Sequence, residues 1–456
     1  MHNQHHERVN FGSRLGAILA AAGSAVGLGN IWRFPYEAGN HGGAAFILIY
    51  LVCIFVLGLP IMIGEFTIGR RAKASTGGTF SKLAPGTHWK WVGYMGVLTG
   101  FLILGYYSVV AGWTLEYMMQ ALIGGFNGKD ADGFIELFGN FSTNPWRPLV
   151  WLTVFMGLTH IVIVRGVKDG IERSSKVMMP VLFILILLLA VCSLTIPGAE
   201  KGLEFLFKPD FSKVTPDVFL GAMGQAFFSM SLGMGCLSTY ASYFGKDTRL
   251  GQTALSVGMI DTFVAILAGV IIFPAAFAVG IKPDAGPSLI FITLPNVFEQ
   301  AFGGIPFLAS ACAMAFYLLL ALAALTSTIS LHEVSTSFLH EKFGFTRGRA
   351  ATIVSVLCWG IGVVSSLSLG DWSGYTIAGM NIFDSLDYLT AKIMLPVSGM
   401  LGAVFVGWYL DKKIVKEEVT NYGTLKTPYY PLVIFVLKYI SPLGVILIFL
   451  NELGLF

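Results

Sequence analysis

The stretch GSAVGLGN, residues 23–30, lies in the middle of an apolar segment that runs from Leu15 to Tyr36. An apolar segment of about 20 residues is long enough to cross a bilayer as a helix. Three glycines and an asparagine at its centre weaken that helix where every backbone group needs a hydrogen-bond partner. Interrupted backbone at this depth is tolerated where it lines a cavity or is buried in protein. The stretch therefore predicts a broken transmembrane helix.

A second apolar segment is interrupted in the same way around Ser229. Two interrupted helices at corresponding positions of two halves of a chain point to a transporter's binding site. The two breaks are therefore predicted to form two halves of one site.

The apolar segments predict the architecture. Eleven of them are centred near residues 25, 55, 105, 157, 185, 230, 267, 320, 360, 395 and 440. Helices 1–5 and helices 6–10 each begin with an interrupted helix, and because five is odd the second set enters the membrane from the opposite side. The sequence thus predicts an all-α polytopic membrane protein with eleven transmembrane helices and an inverted 5+5 repeat, in which helices 1 and 6 are unwound at mid-membrane. A single domain would cover residues 1–456, with repeats at about 10–200 and 215–411 and helix 11 at about 428–451.

Composition supports a membrane protein. Hydrophobic residues make up 55% of the 456 residues and charged residues 12%, which is half of the roughly 25% found in soluble domains. No soluble domain and no nucleic-acid partner are predicted, and residues 1–10 show no signal peptide. The cysteines lie in apolar segments without CxxC spacing, which is typical of small buried residues. They are Cys53, Cys192, Cys236, Cys312 and Cys358.

The distribution of positive charge predicts the orientation. With the N-terminus inside, 20 of the 29 Lys and Arg residues fall in loops on the cytoplasmic side and 6 in loops outside. This bias predicts a cytoplasmic N-terminus and an extracytoplasmic C-terminus in the cell's inner membrane. The outside loop 282–304 is partly apolar, which favours short helices packed over the outer entrance rather than a plain surface loop.

Three motifs carry a resemblance to a known family. They are GSAVGLGNIWRFPY at 23–36, GQAFFSMSLG at 224–233 and LTS at 325–327. These resemble signatures of the first, sixth and eighth helices of the neurotransmitter:sodium symporter family, and the match runs nearly end to end. The chain resembles the bacterial amino-acid transporter branch with eleven helices, which implies a leucine-transporter-like fold.

The first break offers two kinds of backbone group. A half-helix N-terminus at Leu28 and Gly29 presents free N–H groups that suit a carboxylate, and the opposite half-helix end presents carbonyls that suit a small cation. The resemblance implies two sodium sites. The first would use Ala25, Asn30, Ser229 and Asp261 with the substrate carboxylate. The second would use Gly23, Val26, Ala323, Thr326 and Ser327, although the last two hydroxyls, taken alone, are typical of hydrogen bonds back to their own helix.

Asp261 departs from the family pattern. Members of the family commonly carry Asn at this position, and some carry an acidic residue one turn later, where this chain has Ala265. The negative charge is therefore interpreted as having moved to Asp261, and a carboxylate inside a membrane helix is a functional hypothesis by default. We expect chloride-independent transport with two sodium ions as cofactors. The alternative is an Asp paired with a Lys or Arg for structure alone.

The resemblance also implies a substrate pocket. Amine transporters of the family carry Asp where this chain has Gly27, so the substrate is expected to bring its own carboxylate. Tyr107 would hydrogen-bond that carboxylate, and the flexible Met234 in apolar walls favours hydrophobic or aromatic amino acids. The pocket residues would be Ser24, Ala25, Leu28, Gly29, Ile103, Tyr107, Phe228, Ser231, Met234, Ser327 and Leu331.

Two gates follow from the same resemblance. Arg33 and Asp387, with Gln225 steadying Arg33, would close the outer side above Phe228 and Tyr107. On the inner side, each charged residue also has an interpretation as an ordinary helix-end residue. The inner gate would consist of Arg8, Glu341, Ser242 and Tyr243.

Two intramembrane charges lie outside these gates. Glu65 in helix 2 is expected to hydrogen-bond the exposed backbone of helix 6. Lys392 in helix 10 has no predicted role.

These features predict a sodium-coupled symporter that imports neutral amino acids by alternating access. The partners would be an amino-acid substrate, as a small molecule, and the lipid bilayer, and the sequence gives no oligomeric state. Alternatives are a proton-coupled transporter or a non-transporting amino-acid sensor of the same fold. A channel lacks support because the few intramembrane charges form gate pairs rather than charge rings, and an enzyme lacks support because no metal cluster or nucleophile–base arrangement is present.

Overall fold

The computed structural model describes residues 9–280, 289–302 and 304–452. This part of the chain is helical and contains no β-strand, so the predicted all-α class is confirmed. The helices in chain order are α1 Arg14–Ala25, α2 Gly29–Asn40, α3 Ala44–Ala72, α4 Thr76–Leu83, α5 Lys90–Leu122, α6 Ala131–Ser142, α7 Arg147–Val164, α8 Val167–Leu194, α9 Glu200–Phe207, α10 Pro216–Ser229, α11 Cys236–Ala241, α12 Leu250–Ala278, α13 Leu289–Phe302, α14 Pro306–Phe343, α15 Arg347–Leu367, α16 Ile382–Tyr409, α17 Lys412–Val419 and α18 Tyr430–Asn451.

The long apolar helices define the membrane spans. Within the described ranges, nine helices are long and apolar enough to cross a membrane, and the bent pair α1–α2 raises the number to ten. The remaining predicted span corresponds to α10 and α11, which are separate short helices. A total of eleven spans, the repeat boundaries and the orientation remain predictions.

The first break lies three residues after the start of the glycine-rich stretch. Helix α1 is capped at its N-terminus by Ser13, whose hydroxyl accepts the N–H of Gly16 at 3.0 Å, and it ends at Ala25. Val26 is extended (φ −68°, ψ 111°), and α2 starts at Gly29 with its axis turned by 54°. Extended backbone at Val26 ends the helical hydrogen-bond ladder and leaves the groups at the break for other partners.

The second break separates α10 from α11. Three residues between them have left-handed backbone: Ser231 (φ 54°), Gly233 (φ 82°) and Gly235 (φ 81°). At Gly233 a side chain is excluded as well, because an added Cβ would lie 2.6 Å from the carbonyl oxygen of Leu395. Glu65 on α3 accepts the N–H of Gly233 through Oε1 at 2.7 Å, so a buried carboxylate satisfies a donor that the break exposes.

The two breaks face each other inside a ring of long helices. Ser24 of α1 bonds Ser330 of α14 at 3.0 Å, and the N–H of Leu28 reaches Tyr107 of α5. Asn30 contacts both α10 and α12, as detailed below. The interrupted helices therefore bring their irregular backbone to the centre of the bundle rather than to lipid.

The sequence predicts too few helices outside the spans. The stretches between the predicted spans at 70–90, 125–147, 197–216 and 411–427 contain α4, α6, α9 and α17. Residues 289–302 of the predicted outer loop form α13, as expected for a short helix, and 281–288 lie outside the described part. Each of these helices is short and has one apolar side. Long apolar runs indicate membrane spans but do not indicate short helices of this kind.

Candidate functional site

A polar network joins the two breaks. Asn30 Nδ2 donates to Ser229 Oγ at 3.1 Å, to Asp261 Oδ1 at 2.7 Å and to the Asp261 carbonyl at 3.2 Å. Ser229 donates to Asp261 Oδ2 at 2.8 Å, and the Asn30 side-chain oxygen accepts the N–H of Gly27 at 2.9 Å. Three side chains predicted for the first sodium site therefore lie together. All three are at most 2% exposed.

Two further observations concern this network. Ala25 is the last residue of α1, so its carbonyl lies where the helical ladder ends. The hydroxyl of Tyr50, on α3, lies 3.4 Å from both Ser229 Oγ and Asp261 Oδ2. Tyr50 is not among the residues predicted for this site, because the sequence marks it just as a phenol in a strongly apolar helix.

Asp261 forms no ion pair with a Lys or Arg among the described residues. Its carboxylate accepts hydrogen bonds from neutral groups: the amide of Asn30 and the hydroxyls of Ser229 and Tyr50. A structural Asp–Lys or Asp–Arg pair, the alternative considered from the sequence, therefore has no counterpart here.

The residues predicted for the second sodium site lie on facing stretches of α1 and α14. A Cβ on Gly23 would be 3.1 Å from the Cβ of Thr326, and Ser327 Oγ donates to the Val26 carbonyl at 3.3 Å. Thr326 Oγ1 also lies 3.0 Å from the carbonyl of Ala323. The five residues are thus neighbours, and the hydrogen bond of Thr326 to its own helix is present as well.

The predicted pocket surrounds the first break. The Leu28 N–H donates to the Tyr107 hydroxyl at 3.2 Å. A Cβ on Gly27 would lie 2.7 Å from Ser327 Oγ and 3.4 Å from the Tyr107 hydroxyl, and one on Gly29 would lie 2.8 Å from the Phe228 ring. Both glycines are required by these close approaches.

The rest of the pocket is formed by the second break and by apolar side chains. Ser231 donates to the Ser24 carbonyl at 2.8 Å, which ties the second break to α1. Beyond Ala25 and Leu28 at the first break, the buried apolar residues of the predicted set are Ile103, Met234 and Leu331. No charged side chain belongs to the predicted pocket, so its described walls are apolar with a few directed polar groups, as in small-molecule sites generally.

The predicted outer-gate residues do not form the expected ion pair. Among the described residues no salt bridge joins Arg33 to Asp387. The Arg33 guanidinium lies 4.6 Å from the centre of the Phe228 ring and 3.7 Å from Glu37, and Asp387 accepts from the Tyr106 hydroxyl at 3.0 Å.

Gln225 does not form the hydrogen bond to Arg33 that would steady it. Its side-chain amide is buried, and neither of its polar atoms has a hydrogen-bond partner within the described part of the chain. The sequence places Arg33, Gln225 and Asp387 at similar depths in the membrane. It does not determine which side chains each of them contacts in a given conformation.

The structure describes only part of the predicted inner gate, because Arg8 lies outside the described residues. Glu341 accepts the backbone N–H of Ser75 at 2.7 Å, and Ser242 donates to the Thr239 carbonyl. The Tyr243 hydroxyl donates to Glu333 at 2.5 Å.

Glu333 is the residue that sequence reasoning missed on this side. It is fully buried and is also held by Arg347, with Nη1 at 3.0 Å and Nη2 at 2.5 Å from its two oxygens. A carboxylate one residue past His332 in an apolar helix was the available signal.

Comparisons with known proteins identify the group to which the site belongs. A profile described as the sodium:neurotransmitter symporter family matches residues 8–128 and 142–455. The chain is 38% identical over 448 residues to the uncharacterized sodium-dependent transporter YhdH of Bacillus subtilis, with 98% of each chain covered. It is 33% identical to the uncharacterized sodium-dependent transporter MJ1319 of Methanocaldococcus jannaschii, with 92% of this chain and 86% of the relative covered.

A solved structure shows the same fold. The crystal structure of MhsT in complex with L-phenylalanine matches with a TM-score of 0.88 at 46% identity, covering 98% of this chain and 100% of that chain. The resemblance and the polytopic helical fold expected from the sequence are thereby confirmed. This chain belongs to the sodium:neurotransmitter symporter family, and it is a membrane transporter rather than an enzyme.

Proposed function

We propose that this protein couples sodium entry to the uptake of a neutral, hydrophobic or aromatic L-amino acid by alternating access. The observation that carries the proposal is the buried network of Asn30, Ser229 and Asp261 between the two helix breaks. An ionised carboxylate out of water is very costly unless it is paired or binds a metal ion. Its described partners are all neutral, and a sodium ion beside the carboxylate supplies the balancing charge.

The proposed amino-acid substrate follows from the other side of the same break. The Leu28 N–H and the Tyr107 hydroxyl, 3.2 Å apart, are both within reach of a carboxylate bound at Gly27. A substrate carboxylate and a sodium ion side by side lower each other's desolvation cost. This mutual dependence gives a physical route to coupling, because neither charge binds well alone.

The apolar walls favour a hydrophobic side chain. Ile103, Met234 and Leu331 provide them, and Met adapts to irregular shapes. MhsT was crystallised with L-phenylalanine, which supports an aromatic substrate for this relative of it. Because Asp261 already carries a negative charge beside the proposed sodium ion, transport is proposed not to need chloride.

Uptake into proteoliposomes tests the proposal. The purified protein is expected to accumulate labelled L-phenylalanine under an inward sodium gradient, and a panel of the twenty amino acids should show competition by hydrophobic and aromatic ones. Dissipating the sodium gradient at constant pH should abolish accumulation. Uptake that persists and follows a proton gradient would instead support the proton-coupled alternative, and tight binding without any uptake would support a sensor.

Thr326→Val is expected to raise the sodium concentration for half-maximal uptake at least tenfold. Valine keeps the shape but removes a hydroxyl proposed to bind the second sodium ion, and a hydrogen bond or ligand to a charged group is worth about 1.5–3 kcal/mol. Thr195→Val is the matched control, since Thr195 also bonds back to its own helix, at 2.7 Å from the Cys192 carbonyl. Equal sodium dependence in the two variants would show that Thr326 serves only its own helix.

A further inference from the structure

A groove of about 310 Å³ lies between α7 and α15, away from the candidate site. Met156, Val356 and Trp359 line it, and Val356 and Trp359 are 60% and 39% exposed. Exposed apolar side chains on membrane-spanning helices face lipid. The groove is therefore open to the bilayer rather than to the substrate pathway.

The floor of the groove is polar. His160 Nδ1 lies 2.9 Å from Ser355 Oγ, and the same oxygen lies 2.8 Å from Nε2 of His332 on α14. The second nitrogen of His332 contacts Thr336 at 2.8 Å. His332 is fully buried with both nitrogens occupied, whereas Nε2 of His160 has no hydrogen-bond partner among the described residues. A chain of buried polar groups thus ends at a histidine that lines the groove.

Two exposed cations lie at one end of the groove. The end of α7 and the start of α15 are tied together by Arg347, whose Nε donates to the Ile163 carbonyl at 2.9 Å. Arg165 lies two residues after Ile163, and Arg349 lies two residues after Arg347. Both Arg165 and Arg349 are exposed. The guanidinium of Arg349 lies over the Phe345 ring at 4.8 Å. The linked helix ends therefore place two exposed arginines at one end of the apolar groove, here called its rim.

We propose that this groove binds one anionic phospholipid. The lipid phosphate would lie between Arg165 and Arg349, since the guanidinium fork matches phosphate oxygens in pairs. His160 is five residues before Arg165, which is about 7.5 Å deeper at 1.5 Å per residue. At this depth it would meet an ester carbonyl of the glycerol backbone. One acyl chain would then run past Met156 and Trp359.

Charge decides which lipid is bound. Basic residues next to the membrane attract anionic lipids, with about 1 kcal/mol per Lys or Arg near the surface, which is about fivefold in affinity. The purified full-length protein is expected to retain dioleoyl phosphatidylglycerol at least fivefold better than dioleoyl phosphatidylcholine, as counted by native mass spectrometry. The two lipids share their acyl chains, so the ratio reports the headgroup. Inorganic phosphate at the same concentration should not displace the lipid.

The double variant Arg165→Gln, Arg349→Gln tests the rim. Its ratio of bound phosphatidylglycerol to bound phosphatidylcholine is expected to fall to within twofold of one. Lys413→Gln with Lys416→Gln on α17 is the control, because it removes the same charge from exposed positions elsewhere. An unchanged preference in the arginine variant, or an equal loss in the lysine variant, would overturn the assignment of the headgroup to this rim.

The groove itself is tested by filling it. An added Cβ at Gly157, which lines the groove, meets open space, and so does one at Gly360, which does not line it. Gly157→Phe is expected to lower bound phosphatidylglycerol at least tenfold, while Gly360→Phe leaves it unchanged. Equal binding by the two variants would show that the acyl chain lies elsewhere, and a wild-type protein without headgroup preference would refute the proposal as a whole.

Discussion

Asp261→Asn is expected to lower sodium-dependent uptake at least about 100-fold. Asparagine has nearly the same shape, so the change removes one negative charge and turns one acceptor into a donor. The carboxylate now accepts from Asn30 at 2.7 Å and from Ser229 at 2.8 Å, at a side chain that is fully buried. Removing one partner of a buried charge pair typically costs about 3–5 kcal/mol, and the proposed sodium ion would be left without its counter-charge.

Labelled amino-acid uptake by the reconstituted variant measures this effect. Asp371→Asn, at an exposed position after α15, is the matched control and should transport normally. Thermal unfolding of both purified variants shows whether a loss of uptake reflects a loss of the folded protein. Retained sodium-dependent uptake in a folded Asp261→Asn protein would remove Asp261 from the proposed sodium site.

The same residue gives a test of chloride dependence. Wild-type uptake is expected to be equal when chloride is replaced by gluconate, because Asp261 supplies the negative charge in the protein itself. A wild-type protein that needs chloride would contradict this interpretation, whatever the Asn variant does. The two measurements therefore separate a role for Asp261 in binding sodium from a role in replacing chloride.

The breaks show how much of the fold the sequence predicts. Glycines and Asn30 in an apolar run locate the first interruption to within a few residues, because glycine weakens a helix and apolar length marks a span. The break itself begins only at Val26, and Gly23 stays helical within α1. The exact end of the helix depends on backbone hydrogen bonds, such as the one from the Val26 N–H to the Ala22 carbonyl at 2.7 Å. The amino-acid composition does not show which of these bonds form.

The polar contacts show what the sequence leaves open. The resemblance places Asn30, Ser229 and Asp261 in one group, but Tyr50 joins them from α3 and no local pattern marks its hydroxyl. Likewise the cation–π contact of Arg33 with Phe228 depends on how two helices pack. Residue types and spacing define which groups are available within one helix, and the choice between partners on other helices is made by tertiary packing.

The π-helical turns are another feature of the fold that the sequence does not predict. The spans α3 and α16 contain such turns at Ile54–Gly58, Tyr388–Met394 and Phe405–Tyr409. Each adds a residue to one turn and so rotates the side chains that follow it. Apolar periodicity does not reveal an extra residue in a helix that is apolar on nearly all sides.

Gly27→Asp is expected to abolish amino-acid uptake, with a loss of at least about 100-fold. The side chain would start 2.7 Å from Ser327 Oγ and 3.4 Å from the Tyr107 hydroxyl, which is the place proposed for the substrate carboxylate. Two carboxylates there would repel each other across a few ångströms in a site with little water, and like charges in contact cost several kcal/mol. Uptake of labelled L-phenylalanine into proteoliposomes measures the loss.

Gly27→Asn separates charge from bulk, because Asn has the size of Asp but no charge. Both side chains meet the same steric obstacle at Ser327, so the charge accounts for any difference between the variants. Residual uptake or binding is expected to be at least tenfold lower in the Asp variant than in the Asn variant. Phenethylamine, which lacks the carboxylate, should gain affinity relative to L-phenylalanine in the Asp variant and not in the Asn variant. Equal losses in both variants, with no change in that ratio, would mean that the glycine is needed only for space and that the substrate carboxylate binds elsewhere.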